Sequence, residues 1–235
     1  MNQLEGGCQT GVPYQTRMAL NMPYRSNGEQ HTMKLYYMPG ACSLAAHIVL
    51  EWIGKPYETQ AIARDALKQP EFLSINPMGA VPVLSDGGYT LTQNASILEY
   101  LAEQAPQLNL LGDGTAQSRA EVRRWLGFIN SDLHRTFSLV FGPQRFVASE
   151  AAQQELSTSA AAILRNLFTI LNTQLADKPY LAGKAPTIAD PYLYVVLRWA
   201  KAKNIDLSGL NNLAEFSSRM DADKGVQAAL KAEGL

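Results

Sequence analysis

The sequence is short of cysteine, with two in 235 residues, and short of histidine, with three. Two cysteines placed as unevenly as Cys8 and Cys42 exclude a disulfide framework and suit a reducing compartment. Three histidines with no paired carboxylate or cysteine spacing around them leave no metal-ligand pattern. An excess of charge is missing too. The 20 Lys and Arg residues against 21 Asp and Glu give a net charge of -1, so no basic field exists to gather nucleic acid or an anionic membrane surface. No stretch approaches the roughly 20 consecutive apolar residues of a membrane-spanning helix. What is present, 46% hydrophobic and 17% charged residues, is the composition of an ordinary globular chain long enough for one large or two modest domains.

Residues 1–32 carry little apolar periodicity, and Arg17 followed by Met18, Ala19 and Leu20 falls short of a signal peptide. They are expected to be a disordered leader ahead of Met33. From there the pattern predicts strand Lys34–Met38, a turn at Pro39-Gly40 and a helix over Ser43–Ile53, ended by Gly54-Lys55-Pro56. Strand Tyr57–Ala63, a helical turn Pro70–Ile75 and strands Val81–Leu84 and Tyr89–Thr92 follow, the last two joined by Asp86-Gly87-Gly88. A helix over 94–104 closes this α/β part, residues 33–107. After a linker at 108–114 the strand signals cease, and 115–235 reads as all-helical, with helices over Ala116–Ser138, Gln154–Leu175, Thr187–Lys203 and Lys224–Ala232. The expected architecture is a small α/β domain followed by an all-α domain.

Cys42, in Tyr37-Met38-Pro39-Gly40-Ala41-Cys42-Ser43-Leu44, lies on a strand-to-helix turn. Free N–H groups and the positive end of the helix dipole there favour a thiolate over a thiol, and hence a nucleophile. The same position suits a buried cysteine packed as a small apolar group. No second cysteine lies three residues away, so disulfide chemistry would need an external thiol. Pro82 opens a strand, where a lost N–H is tolerable and a cis bond possible, and the Val81 backbone could then pair with an extended peptide; taken alone, the local sequence favours an ordinary strand-entry proline. Gln93 and Asn94 sit at a second strand-to-helix junction, a place for a carboxylate or simply for a helix cap. Thr187-Ile188-Ala189-Asp190 reads as a capping box.

Together these segments resemble the cytosolic glutathione transferase family from Met33 almost to Leu235. The Pro39-Gly40-Ala41-Cys42-Ser43-Leu44 turn, Asn76-Pro77-Met78-Gly79-Ala80-Val81-Pro82, the helix start after Thr92, and Thr187 to Asp190 stand in the family's order. The turn and Leu197-Arg198-Trp199-Ala200 resemble the bacterial beta class. The resemblance implies a thioredoxin-like N-terminal domain, an all-α C-terminal domain, a cytoplasmic homodimer with a detoxifying role, and no metal. Glutathione is the implied cosubstrate and small hydrophobic electrophiles the second substrates. It implies that the cysteinyl part of glutathione pairs with Val81 before a cis Pro82, and that its γ-glutamyl end meets Gln93 and Asn94. Its sulfur would lie beside Cys42, the catalytic candidate, with Tyr37 nearby, and Ser131, Asp132, Leu133 and His134 would close the site. Phe137–Phe146 and Tyr192–Trp199 would shape the second-substrate site. Two departures stand out: Gln93-Asn94 replaces the usual acidic residue and serine, and Gly127 stands where beta-class relatives can carry asparagine. Two other readings remain open on sequence: a thiol-disulfide oxidoreductase using Cys42, and a ligand-binding protein without turnover.

Overall fold

A computed structural model describes Thr32–Leu235. The expected leader, apart from Thr32, lies outside the described residues, as does Cys8. The N-terminal part runs β1 (Met33–Tyr37), α1 (Ser43–Ile53), β2 (Tyr57–Ala61), α2 (Pro70–Ile75), β3 (Val83–Asp86), β4 (Tyr89–Thr92) and α3 (Asn94–Glu103). The sheet order is β2-β1-β3-β4, with β1 and β2 parallel and the other pairs antiparallel. Period-two alternation buries Met33, Leu35 and Tyr37 of the central strand β1. On one face lies α1, whose residues Ser43 to Leu50 are all buried, because the helix is enclosed by the sheet, α3 and two helices of the second part. Its end matches the sequence signal: Gly54 adopts φ 66°, a left-handed cap that glycine takes without steric cost. The opposite face holds a smaller cluster of Ile62, Phe72 and Val83 under α2.

The second part is helical: α4 (Ala116–Phe128), a π-helical turn (Ile129–His134), α5 (Arg135–Phe141), α6 (Glu150–Gln174), α7 (Ala189–Ala202), α8 (Asn211–Asp221) and α9 (Lys224–Glu233). A mixed α/β domain followed by an all-helical domain is thus the architecture expected from the sequence. Among the described residues no helix is long and apolar enough to cross a membrane.

Several elements differ from expectation. The strand expected at Val81–Leu84 begins at Val83, since Pro82 has no N–H to give to the ladder. The single helix expected over Ala116–Ser138 is interrupted by the π-helical turn, whose wider winding accommodates an extra residue that apolar periodicity does not reveal. The helix expected from Gln154 starts at Glu150, where the Ser149 hydroxyl accepts from the Ala152 N–H. Helix α8 was not expected, although it buries Leu213, Phe216 and Met220 at spacings of three and four.

The capping box forms with altered partners. The Asp190 carboxylate, wholly buried, accepts from the Thr187 N–H at 2.7 Å, the Thr187 hydroxyl at 2.9 Å and the Leu181 N–H at 2.9 Å. The aspartate therefore also ties the preceding loop to the helix it caps.

Candidate functional site

The turn between β1 and α1 is fastened from several sides. The Ser43 hydroxyl accepts from the Met38 N–H at 3.2 Å and lies 3.3 Å from the Met38 carbonyl oxygen. Gly40, at φ 69°, gives its N–H to Glu233 Oε2 of α9 at 2.9 Å and accepts from Trp199 Nε1 of α7 at 2.8 Å. Both polar groups of the residue two before Cys42 are thus held by the helical domain. The other Glu233 oxygen lies 2.9 Å from Nδ1 of buried His47.

Cys42 follows as the first residue before α1, and its thiol donates to the Val81 carbonyl at 3.4 Å. Val81 precedes a cis Pro82. The loop before it is set by Asn76, whose side chain donates to the Ala80 carbonyl at 2.6 Å and accepts from the Met78 N–H at 3.1 Å. Gly79 is required there: it has φ 56°, and a Cβ would come within 2.5 Å of the Leu67 carbonyl oxygen. Among the described residues the Val81 N–H has no hydrogen-bond partner. Cys42 and a backbone edge open to pairing are therefore adjacent.

The expectation of a thiolate at Cys42 is corrected. Burial pushes the thiol up to about 12, outweighing the backbone hydrogen bonds that Cys42 and Ser43 offer. Cys42 is a neutral donor at neutral pH. Alkylation by iodoacetamide in a Cys8→Ser background, which leaves one thiol to read, should be slow, because the thiolate fraction lies on the order of a thousandfold below that of a free cysteine. Labelling at the rate of free glutathione would contradict this.

Three helical-domain groups converge on the same place. Tyr192 of α7 lies close enough to Cys42 that a thiolate there would raise its phenol, which burial already holds well above its ordinary value. Its hydroxyl donates to Asn130 Oδ1 at 3.1 Å and lies 2.5 Å from His134 Nδ1, so with the phenolic proton on Asn130 the imidazole donates from Nδ1. Burial lowers His134 to about 4, which leaves it neutral. Trp199 packs edge-on against the His134 ring at 4.9 Å. Asn130 and His134 reach Tyr192 from one π-helical turn, a feature frequent at functional sites.

The remaining expected residues fall into distinct groups. Gln93 is exposed with φ 72°, an unusual backbone for a residue with a side chain and one that concentrates at functional sites. Asn94 opens α3 and is 5% exposed; among the described residues its buried amide has no hydrogen-bond partner of good geometry, and it lies beside the Tyr192 phenol, whose ionisation it favours. Tyr37 is buried, its ring 5.4 Å from that of His47, and burial and the Glu233 charge raise it, so it is not an activated phenolate. Ser131 donates to Asp132 Oδ2 at 2.8 Å and both are exposed, whereas the Leu133 side chain is wholly buried in the core. Leu133 packs the helical domain and presents no side-chain face for closing a site. Sequence reasoning missed Asn130, Tyr192 as the hub, and Glu233; only their distant partners give them these roles. Among the described residues no group of three or more His, Cys, Asp or Glu is placed to hold a metal ion.

Residues 31–103 match the family "Glutathione S-transferase, N-terminal domain" and 113–219 match "Glutathione S-transferase, C-terminal domain". The chain belongs to the glutathione S-transferase family. It is 50% identical over 203 residues to glutathione S-transferase GST-4.5 of Xanthomonas campestris pv. campestris, covering 86% of this chain and 100% of that one. A solved glutathione S-transferase from Xylella fastidiosa superimposes with a TM-score of 0.84 at 46% identity, over 86% of this chain and 99% of that one. A bacterial beta class glutathione S-transferase from Sphingomonas chungbukensis does so with a TM-score of 0.77 at 38% identity, over 86% and 99%. As a member of the glutathione S-transferase family, the chain is an enzyme with glutathione as its cosubstrate, joining it to electrophiles.

Proposed function

We propose that this enzyme is a beta-class glutathione transferase in which Cys42 acts as a hydrogen-bond donor to the glutathione thiolate. The observation that carries the reading is the Cys42 thiol at 3.4 Å from the carbonyl of Val81, a residue whose N–H has no partner among the described residues. A cysteinyl peptide unit paired with the Val81 N–H and C=O as an added strand brings its sulfur beside Cys42. The thiol can turn from the Val81 carbonyl to that sulfur, and the first free N–H groups of α1 add to the stabilisation. The γ-glutamyl end extends to Gln93 and the N-terminus of α3. With Gln93 in place of a carboxylate, its contact to the glutathione amine lacks charge assistance. Asn130, Tyr192 and His134 close the site from the helical domain.

The attacking group is the glutathione thiolate. It forms a carbon–sulfur bond with the electrophile while the leaving group departs with its electron pair, and the thiol proton passes to solvent. Burial of Cys42 and its raised thiol weigh against disulfide exchange as the main activity. Homology to the Sphingomonas chungbukensis beta class enzyme supports the class. Homodimerisation is part of this reading, supported by half-exposed Ile163 and Ile170 on α6 and Tyr89 on β4. So is a cytoplasmic location, where glutathione is kept reduced.

The test is conjugation of 1-chloro-2,4-dinitrobenzene by wild type and Cys42→Ala in parallel. Wild type should saturate in glutathione, and Cys42→Ala should lose about 5–10-fold in kcat/KM for glutathione, the value of one hydrogen bond. Equal rates would remove Cys42 from the mechanism, and complete loss would show that it does more than donate one hydrogen bond.

A further inference from the structure

Beyond the glutathione site, a line of aromatic rings leads from the Cys42 turn to the surface and ends under a cation. Trp199 is anchored to the Gly40 carbonyl through Nε1 at 2.8 Å. Its ring meets Phe137 at 5.5 Å and Phe141 at 5.3 Å, both edge-on, and Phe137 and Phe141 stack at 5.5 Å. Phe137 is wholly buried, but Phe141 is 41% exposed. The Lys203 ammonium lies 5.4 Å from the Phe141 centroid. The next exposed ring along the chain repeats the arrangement, with Phe146 44% exposed and the Arg135 guanidinium 6.0 Å from its centroid.

Among the described residues neither cation's side chain has an ion-pair or hydrogen-bond partner. The acids close to them in sequence are engaged elsewhere: Asp132, three residues before Arg135, accepts from Ser131 at 2.8 Å, and Asp206, three residues after Lys203, lies 3.9 Å from Arg165. A purely apolar electrophile would use the rings and leave both charges idle. A substrate ring packed edge-on against Phe141 makes an aromatic contact of the kind Trp199 already makes, and an anionic group on it can reach the ammonium that lies over the Phe141 face.

We infer that the preferred second substrate is an aromatic electrophile bearing an anionic substituent, with its ring against Phe141 and Trp199 and its charge on Lys203. This rests on the transferase reading and adds the substrate's charge to it. The reacting carbon faces the glutathione sulfur; for an aryl halide the carbon–sulfur bond forms, the carbon–halogen bond breaks, halide leaves with the bonding pair, and the thiol proton goes to solvent.

The experiment compares 4-chloro-3,5-dinitrobenzoate with its neutral carboxamide, each kcat/KM divided by the uncatalysed rate constant. Wild type should favour the carboxylate by about tenfold, with the preference falling at high salt. In Lys203→Gln the preference should collapse and lose its salt dependence, while Lys203→Arg should keep it; Lys201→Gln, exposed on the same helix, serves as control. An unchanged preference in Lys203→Gln, or a wild-type preference for the carboxamide, overturns the inference. If neither compound is turned over, the parallel assay with 1-chloro-2,4-dinitrobenzene shows whether the transferase reading itself fails. Dissociation constants of the two preformed S-aryl glutathione conjugates for wild type and Lys203→Gln then decide the charge preference separately, equal ratios refuting it.

Discussion

Asp190→Ala is expected to destabilise the protein by about 3–5 kcal/mol, lowering Tm by roughly 6–20 °C for a chain of this size. The side chain is wholly buried and its two oxygens accept from the Leu181 N–H, the Thr187 N–H and the Thr187 hydroxyl. Alanine strands all three donors, and buried donors without acceptors carry their full desolvation cost. The wild-type carboxylate is itself held at a cost, because burial raises Asp190 to about 6 against these hydrogen bonds. A folded-state value above the ordinary 3.8 means that the native state binds the proton more tightly than the unfolded chain. That contribution is fully present below about pH 4 and is lost as pH rises through about 6. Asp190→Asn, which keeps one acceptor oxygen and cannot ionise, should fall between wild type and alanine and lack this pH-dependent term. Thermal denaturation of the three proteins across that window checks both statements, and an Asp190→Ala protein within 1 °C of wild type would refute the first.

Glu233→Ala should affect both stability and catalysis. It leaves the His47 ring and the Gly40 N–H without their acceptor, about 3 kcal/mol for a buried pair broken on one side. Helix α9 stays attached by other contacts, among them Trp52 Nε1 donating to Asp223 at 2.8 Å, so the loss is concentrated at the Cys42 turn. A small displacement there should reduce kcat/KM for glutathione by about 10–100-fold. Kinetics well below the melting transition separate the two effects. A variant that melts early but turns over normally would show that Glu233 supports the fold without positioning the turn. Glu233→Gln, which retains one acceptor, should recover part of both losses.

The fold was largely legible where glycine and proline punctuate apolar periodicity. Pro39-Gly40 and Gly54 bound α1 so clearly that Ser43–Ile53 is both the expected and the observed helix, and Asp86-Gly87-Gly88 announces the hairpin of β3 and β4. Helix α8 was overlooked because it follows Gly209 and Leu210 with no strong N-cap, its Leu210 side chain making no capping bond. The π-helical turn leaves no trace in spacing, since one added residue only shifts the phase of the helix that follows. At the site, Cys42 and Val81 were visible because a backbone turn and a strand-entry proline are local features. The protonation state of Cys42 was not, because a helix terminus is local whereas the burial that overrides it is supplied by a second domain. Tyr192 and Glu233 were invisible as site residues for the same reason: their partners lie 58 to 193 positions away.

The grip on Gly40 bears on how the enzyme comes into being. The contacts to Trp199 and Glu233 span 159 and 193 residues, so a growing chain whose β1 and α1 have already left the ribosome still lacks both clasps on the Cys42 turn. The thioredoxin-like part can emerge early while the geometry around Cys42 waits for α7 and α9. Synthesis therefore has an order: the turn that carries Cys42 is made first and is clasped only when the helices translated after it arrive.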